Sequence, residues 1–287
     1  MISAAYITEW SQQCPWVSSA QVEQDLVLSR ALVEIYTDPI LCERLLFRGG
    51  TALHKIVLQP AARYSEDLDF VQIRQEPIGE TLDRLKARLD PWLGTPKSEV
   101  GARGATVTYR FNSELPPIIP LRLKIEINTR EHLCLRPIQQ TEFTVQSRWF
   151  TGTATLPIYS IVELLGTKLR ALYQRRKGRD LFDLWYAYQS KFLFLTDVME
   201  VFLHYMEAEG HPITAAKLRD NLAAKMSHPG FLSDTPPLLR PGIQFDPVKA
   251  HEWVESALIS ILAAAESGGA ETPADIQALK VLKQLGL

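Results

Sequence analysis

Between Val22 and Val33 the apolar residues Val22, Leu26, Val27, Leu28, Leu32 and Val33 recur near the helical period behind Ser18-Ser19, which predicts a capped helix over 20–38. A second apolar run, Leu45-Leu46-Phe47, leads into Gly49-Gly50-Thr51 and then Ala52-Leu53-His54-Lys55-Ile56, the pattern of a capping turn that opens a helix. The period drops to two over 67–73, where Asp67 and Asp69 alternate with Leu68 and Phe70, and this predicts a strand. Residues 78–92 return to helical spacing with alternating charge, and Pro91 predicts the end of that helix. Segments 104–112 and 120–129 alternate as strands around a Pro116-Pro117 turn.

From about Tyr159 onward the strand period disappears and helices are predicted over 159–176, 179–189, 195–209, 213–226 and 247–265. The proline- and glycine-rich stretch 228–247 reads as an ordered loop or a flexible connector, and the tail from Ser267 as a linker that closes with a short helix. Together these elements predict an α+β protein. A mixed sheet flanked by helices occupies 1–156 and a mostly helical domain occupies 157–287, with the boundary near Leu156-Pro157.

Composition narrows the class. The 287 residues are 46% apolar, enough to fill a substantial core, and 31 basic against 33 acidic residues leave a net charge of −2. A chain so balanced carries no basic coat, so any nucleic-acid contact is expected to be regional. Cys14, Cys42 and Cys134 show no metal-ligand spacing, and their odd number suits a reduced cytosol and structural or incidental roles. The N-terminal stretch lacks a basic region followed by an apolar one, and no apolar run approaches about 18 residues. A cytoplasmic protein with no membrane contact is therefore expected.

The candidate chemistry centres on Asp67 and Asp69. On an extended strand their Cα atoms lie roughly 6–7 Å apart with both carboxylates on one face. Two such groups share a dry face only with a cation between them. Magnesium fits, because it takes hard oxygen ligands and completes its octahedron with water and phosphate oxygens. Taken alone, the pair is an ordinary feature of an amphipathic strand. The glycine turn upstream changes this, because glycines let backbone N–H groups approach a phosphate and a helix N-terminus favours anions.

The GGTAL helix followed by R-x-S-E-D-L-D-F (Arg63 and Ser65–Phe70) resembles the first motif of the AbiEii family of bacterial nucleotidyltransferase toxins, a branch of the DNA polymerase β-like superfamily. The gap from Gly50 to Asp67 is longer than the superfamily's usual spacing and is similar to that of this branch. The likeness extends more weakly through about Asp183. It implies that Gly49, Gly50 and Thr51 hold the β- and γ-phosphates of a nucleoside triphosphate, that Ser65 binds phosphate or is a turn residue, and that Asp67 and Asp69 hold Mg²⁺. The superfamily's third acid, from a neighbouring strand, matches Glu126 in LRLKIEIN; a solvated strand face with a Lys124 pair is the other reading. In ELLGTKLRALYQRRKGRDLFDLW the likeness makes Lys168 the triphosphate- or substrate-positioning lysine and Asp180 a later functional aspartate, while Asp183 shares that face or caps the helix.

The densest positive stretch also lies there: Lys168, Arg170, Arg175, Arg176, Lys177 and Arg179. It is a solvated helix face or, following a triphosphate motif, a place that receives the phosphates of the nucleotide or the backbone of an RNA acceptor, with Arg175, Arg176, Lys177 and Arg179 as the nucleic-acid contacts. His54 and His132 have no partners at metal-ligand spacing and read as packing or surface residues; Trp185 and Trp253 read as core or interface. The resemblance implies a toxin of a toxin–antitoxin or abortive-infection pair that modifies RNA, such as the tRNA acceptor end, or binds GTP, and is neutralised by an antitoxin. Alternatives are a nucleotide-binding regulatory protein without transfer activity and a transferase acting on a small molecule such as an antibiotic.

Overall fold

The computed structural model describes residues 2–267 apart from Arg103 and Leu193, so the helix expected in the tail lies outside the described residues. The chain divides into two compact units, Met1–Ile161 with Leu238–Ile243, and Val162–Pro237 with Gln244 onward. The expected division at 156/157 differs from this in two places. Residues 157–161 belong with the first unit because Tyr159 N–H donates to Phe47 C=O at 3.1 Å. The 238–243 stretch returns to the first unit, where Tyr64 N–H donates to Leu238 C=O at 2.8 Å and Arg240 N–H to Ala62 C=O at 2.9 Å.

In the first unit the described strands are β1 (Leu45–Arg48), β2 (Asp67–Gln72), β3 (Lys97–Gly101), β4 (Gly104–Asn112), β5 (Pro120–Asn128), β6 (Gln139–Gln146) and β7 (Thr151–Ile158). They form one mixed sheet in the order β3-β4-β5-β2-β1-β7-β6. The central strand, β2, runs antiparallel to β1 and parallel to β5. Four strands depart from the sequence expectation. β1 is too short to show a period and reads as the approach to the glycine turn, β3 is exposed throughout, and β6 and β7 are polar enough to read as loop.

Alternation works as expected on β2, β4 and β5. Leu68 and Phe70, Ala105, Val107, Tyr109 and Phe111, and Leu121, Leu123, Ile125 and Ile127 are buried. Full burial of each large apolar side chain contributes roughly 1.5–3 kcal/mol. Helices Ser19–Tyr36 and Gly79–Leu93 cover this face, with Tyr36 edge-on to Phe70 and Tyr109 donating to Asp90 at 2.7 Å. Ser18 caps the first of these helices in a capping box with Gln21. Pro91 does not end the second; it sits in the last turn, where one missing N–H is tolerated, and the helix runs to Leu93.

Among its described residues the second unit contains helices and no strand: Ile161–Gln174 (its first residue in the other unit), Gly178–Gln189, Leu195–Ala208, Ala215–Met226, Pro229–Leu232 and a run from Pro247 to Glu266 whose middle turns are π-helical. The 228–247 segment is ordered, with a short helix at Pro229–Leu232 and a 3₁₀ turn at Pro236–Leu238. Trp185 packs against Phe245, and Trp253 stacks on Tyr188 at 4.6 Å.

Candidate active site

β1 ends at Arg48 and the chain turns at once through Gly49 into the short Gly49–Ala52 helix, which continues as a π-helical turn over Leu53–Val57. Gly49 has φ +81°, a left-handed conformation open to glycine, and a Cβ there would sit 2.2 Å from Asp69 Oδ2. A Cβ on Gly50 would lie 2.7 Å from Arg63 Nη2 and 3.1 Å from Ser65 Oγ. Gly49 is thus required by its left-handed φ and its close approach to Asp69, and Gly50 packs against the Arg63–Ser65 stretch. The turn and the aspartates that sequence pattern placed together do meet.

Thr51 is 1% exposed, and its hydroxyl donates to the Asp67 carbonyl at 2.5 Å and lies 2.9 Å from Ser65 Oγ. These two hydroxyls fasten the turn to β2. Asp67 and Asp69 are partly buried on the face opposite Leu68 and Phe70. Asp67 Oδ1 is buried with no hydrogen-bond donor. Burial first, and then the charges of Asp69, Glu66 and Glu126, push the Asp67 carboxyl up to about 6, against the opposing pull of Lys124. Its charged form is therefore under-compensated by the protein.

The β2/β5 register sets Asp69 directly beside Glu126 and Asp67 beside Lys124, so Glu126 stands on the same face as the pair. Lys124 Nζ lies 2.8 Å from Glu126, so the ion pair considered from the sequence is present. Across the other ladder Arg48 is paired with Asp69, and its Nη1 donates to Glu131 at 2.8 Å. Burial alone would lower the Arg48 pKa, but Tyr159, Glu131 and Asp69 more than offset it. Arg48, Asp69, Glu99, Glu126 and Asn128 line a cavity of about 600 Å³. Sequence reasoning missed Arg48, although its place immediately before the glycine turn was the available signal.

Among the described residues no three His, Cys, Asp or Glu side chains converge as they would around an ion. Magnesium does not require that many, since one or two carboxylates plus water and substrate phosphates suffice. The donor-free Asp67 oxygen beside Asp69 fits such an ion. His132 Nδ1 lies 2.9 Å from the Gln72 carbonyl, and Cys14 is pushed up to about 12 by burial and by Asp25 and is no reactive thiolate.

Lys168 and Asp180 stand in the second unit as parts of a separate cluster. Lys168 Nζ lies 3.1 Å from Asp180 and 3.0 Å from Asp183, and all three side chains are buried. Arg175 grips Asp180 through Nε at 2.7 Å and Nη2 at 2.8 Å. Burial would raise the Asp180 pKa, but Lys168 and Arg175 hold it below the ordinary carboxylate range. Asp183 thus shares the face of Asp180 and ligates the same ammonium. The basic run is largely neutralised locally: Arg179 takes both oxygens of Asp234 at 2.9 and 3.0 Å, and Lys177 reaches Asp234 at 3.7 Å. Arg176 is exposed. Lys225 Nζ donates to the Leu172 and Tyr173 carbonyls at the end of the Ile161–Gln174 helix, and burial lowers it to about 8.

A glycine turn delivering backbone amides to an acid-bearing strand of a mixed sheet defines a nucleotidyltransferase fold, and solved structures agree. MenT4, a nucleotidyltransferase toxin from Mycobacterium tuberculosis H37Rv, superposes with a TM-score of 0.66 at 20% identity, over 98% of this chain and 99% of that one. A protein of H. pylori provisionally described as a nucleotidyltransferase superposes with a TM-score of 0.53 at 18% identity, over 89% and 100% of the two chains. No curated protein sequence matches the chain. The model of the family "Nucleotidyl transferase AbiEii toxin, Type IV TA system" matches residues 30–255. The chain belongs to this family and is a nucleotidyltransferase toxin of the type IV toxin–antitoxin class. No described helix is long and apolar enough to cross a membrane.

Proposed function

We propose that the protein transfers a nucleoside monophosphate from a nucleoside triphosphate to a hydroxyl of an RNA, such as the tRNA acceptor end, in a Mg²⁺-dependent reaction in the cytoplasm. The observation that carries this reading is the donor-free, raised-pKa Asp67 carboxylate on the same strand face as Asp69, which stands against Gly49. Gly49 and Gly50 present backbone N–H groups to the β- and γ-phosphates, with Thr51 and Ser65 bracing the turn. Asp67 and Asp69 are the residues that hold Mg²⁺, which when bound supplies charge neutralisation on the triphosphate. Glu126 orients the acceptor hydroxyl and takes its proton as the oxygen attacks the α-phosphorus; the bond to the β-phosphate breaks and pyrophosphate leaves. Lys124 holds Glu126 in place. Arg176 and Lys177 offer exposed charge to an RNA backbone. A cognate antitoxin neutralises the protein.

One observation favours a second acceptor class. Among the described residues the cavity beside Asp69 and Glu126 carries three acids, Asp69, Glu99 and Glu126, against one base, Arg48, and such a wall suits a cationic small molecule better than a phosphodiester backbone. Incubation of the purified protein with Mg²⁺, each α-labelled nucleoside triphosphate and either total tRNA or a panel of aminoglycosides separates the two. Label on RNA supports the first reading, label on a small molecule supports the second, and an unlabelled mixture from active, folded protein overturns both.

A further inference from the structure

The acid-lined cavity beside Asp69 and Glu126 does not end at Asn128. Gly101 and Ala102, at the β3–β4 turn, line it and also line a second cavity of about 500 Å³, whose wall continues through residues 75–78, Thr129, Arg130 and His132. Both volumes fall within the range of small-molecule sites, roughly 300–1,000 Å³. Because β2 and β5 are parallel, the second cavity follows the first in the direction in which both strands run. Glu126 and Asn128 are two residues apart on β5, roughly 6–7 Å of strand, so the second cavity opens one short step beyond the place of the reacting hydroxyl. Nothing in the transfer mechanism above uses it.

The polar groups of this wall are arranged and left unanswered. Asn128 Oδ1 accepts the backbone N–H of Arg130 at 2.8 Å and of Glu131 at 3.0 Å, and this turn sends the Glu131 side chain to Arg48 and the Arg130 side chain into the second cavity's wall. Arg130 Nε donates to the Ala102 carbonyl at 2.6 Å, which fixes the guanidinium plane, and among the described residues no carboxylate pairs with it. The acid of this wall, Glu76, is held by Arg44 at 3.2 Å. His132 Nδ1 lies 2.9 Å from the Gln72 carbonyl, which can only accept, so Nδ1 carries the hydrogen and Nε2 of the neutral ring keeps a lone pair for an outside donor. An unpaired guanidinium beside a lone pair selects a ligand that joins an anionic oxygen to a hydroxyl. A phosphodiester next to a ribose has both, the phosphate for Arg130 and the 2′-hydroxyl for His132, whereas deoxyribose lacks the second and a small cation lacks the first.

We propose that this second cavity reads the acceptor as RNA, holding the phosphodiester and ribose that precede the reacting terminal nucleotide, with Arg130 on the phosphate and His132 accepting from the 2′-hydroxyl. The proposal rests on the transfer reading above for the place of the reacting hydroxyl, and it adds selection of RNA over DNA and over a cationic small molecule. Neither side chain touches the reacting atoms, so both act on acceptor affinity more than on the chemical step.

The test uses the full chain and an RNA hairpin with a single-stranded CCA 3′ end, beside the same hairpin carrying 2′-deoxyribose through that end. In EDTA the wild type should bind the ribose form about 5–10-fold more tightly. H132F should bring the two within about twofold by weakening the ribose form. R130Q should weaken both about 5–10-fold and lower the slope of log affinity against log salt by about 0.7, the share of one single-strand phosphate, and R130K should restore the slope. With Mg²⁺ and labelled nucleoside triphosphate, H132F and R130Q should raise the KM for the ribose hairpin while kcat and the KM for the triphosphate stay within about twofold. Equal wild-type binding of the two hairpins, a ribose preference that survives H132F, or an unchanged salt slope in R130Q overturns the proposal. The binding arm needs neither metal nor triphosphate, which keeps the two readings apart. A ribose preference that H132F abolishes, in a protein that transfers no label, supports the RNA site and counts against transfer; label transfer with equal binding overturns the site alone.

Discussion

Two aspartate pairs in this protein are built from the same residue type and left in opposite electrostatic states. Asp180 and Asp183, in the helical unit, are wholly buried and share the Lys168 ammonium, and Arg175 adds a two-pronged grip on Asp180. Asp67 and Asp69, on the central strand, are less buried, yet Asp67 has an oxygen with no donor and a carboxyl pushed up to about 6. Lys124, the base beside Asp67 in register, is engaged by Glu126. Burial therefore does not set the state of these acids. Compensation does: the helical pair is met by the chain's own cations, whereas Asp67 keeps a buried oxygen that no donor among the described residues satisfies.

The largest expected effect comes from the unfinished pair. Asp67→Asn should reduce transfer on the order of 10²–10³-fold, the scale of losing a preorganised electrostatic group, while the metal-free protein keeps or gains thermal stability at pH 7.5. Initial rates with labelled nucleoside triphosphate and a melting curve on the same preparation check both halves. A variant that transfers at the wild-type rate, or one that melts several degrees lower, breaks the comparison at its first member.

The finished pair should behave in the opposite way. Asp180→Ala empties a wholly buried site, leaves the Lys168 ammonium to Asp183 alone and releases the half-exposed Arg175, and should cost about 3 kcal/mol, the lower end for breaking a buried ion pair. Urea unfolding measures this, and a loss below 1 kcal/mol would show that the cluster is not the compensated structure described here.

Acidity sharpens the contrast further, because the two shifts have opposite signs. Asp67 ionises near 6 in the folded protein and near about 4 when unfolded. Between those values the folded state holds a proton that the unfolded state has lost, so stability falls as pH rises through this window, by about 1–3 kcal/mol without metal. Asp180 is depressed, so its contribution is present above the unfolded value near about 4 and is lost as pH falls through its folded value. Urea midpoints in EDTA from pH 4 to 7 should show a downward trend in wild type that Asp67→Asn flattens, and Mg²⁺ should recover stability at the upper end.

Much of the unfinished pair was legible in the sequence, because it rests on local rules. Period-two alternation put Asp67 and Asp69 on one face and Glu126 on the matching face of another strand, and the glycines signalled a close backbone approach. Partnership was not legible where it is non-local. Nothing near Lys168 announces that two aspartates twelve and fifteen positions on will hold it, and nothing near Arg179 points to Asp234. The strands β1, β3, β6 and β7 escaped for a related reason: they are short, exposed or polar, and their pairing in the sheet, rather than a period of their own, makes them strands. The Leu238–Ile243 return, hidden in a proline-rich stretch, is a tertiary event as well.

The smallest expected effect bears on the basic run beside the finished pair. Its charges look equivalent in sequence and are not so in the structure: Arg175 and Arg179 are tied to Asp180 and Asp234, while Arg176 is exposed. Arg176→Ala should therefore leave stability within about 0.5 kcal/mol, as surface substitutions generally do. If the acceptor is RNA, the same change should lower the slope of log affinity against log salt by about 1, the signature of one lost phosphate contact. Arg179→Ala should do the reverse, lowering stability by releasing Asp234 while altering the salt slope less. Filter binding of total tRNA over a salt series, with melting curves for both variants, ranks the two. An unchanged slope in Arg176→Ala would remove this turn from the RNA contact and strengthen the acidic cavity beside Asp69 as the acceptor's place.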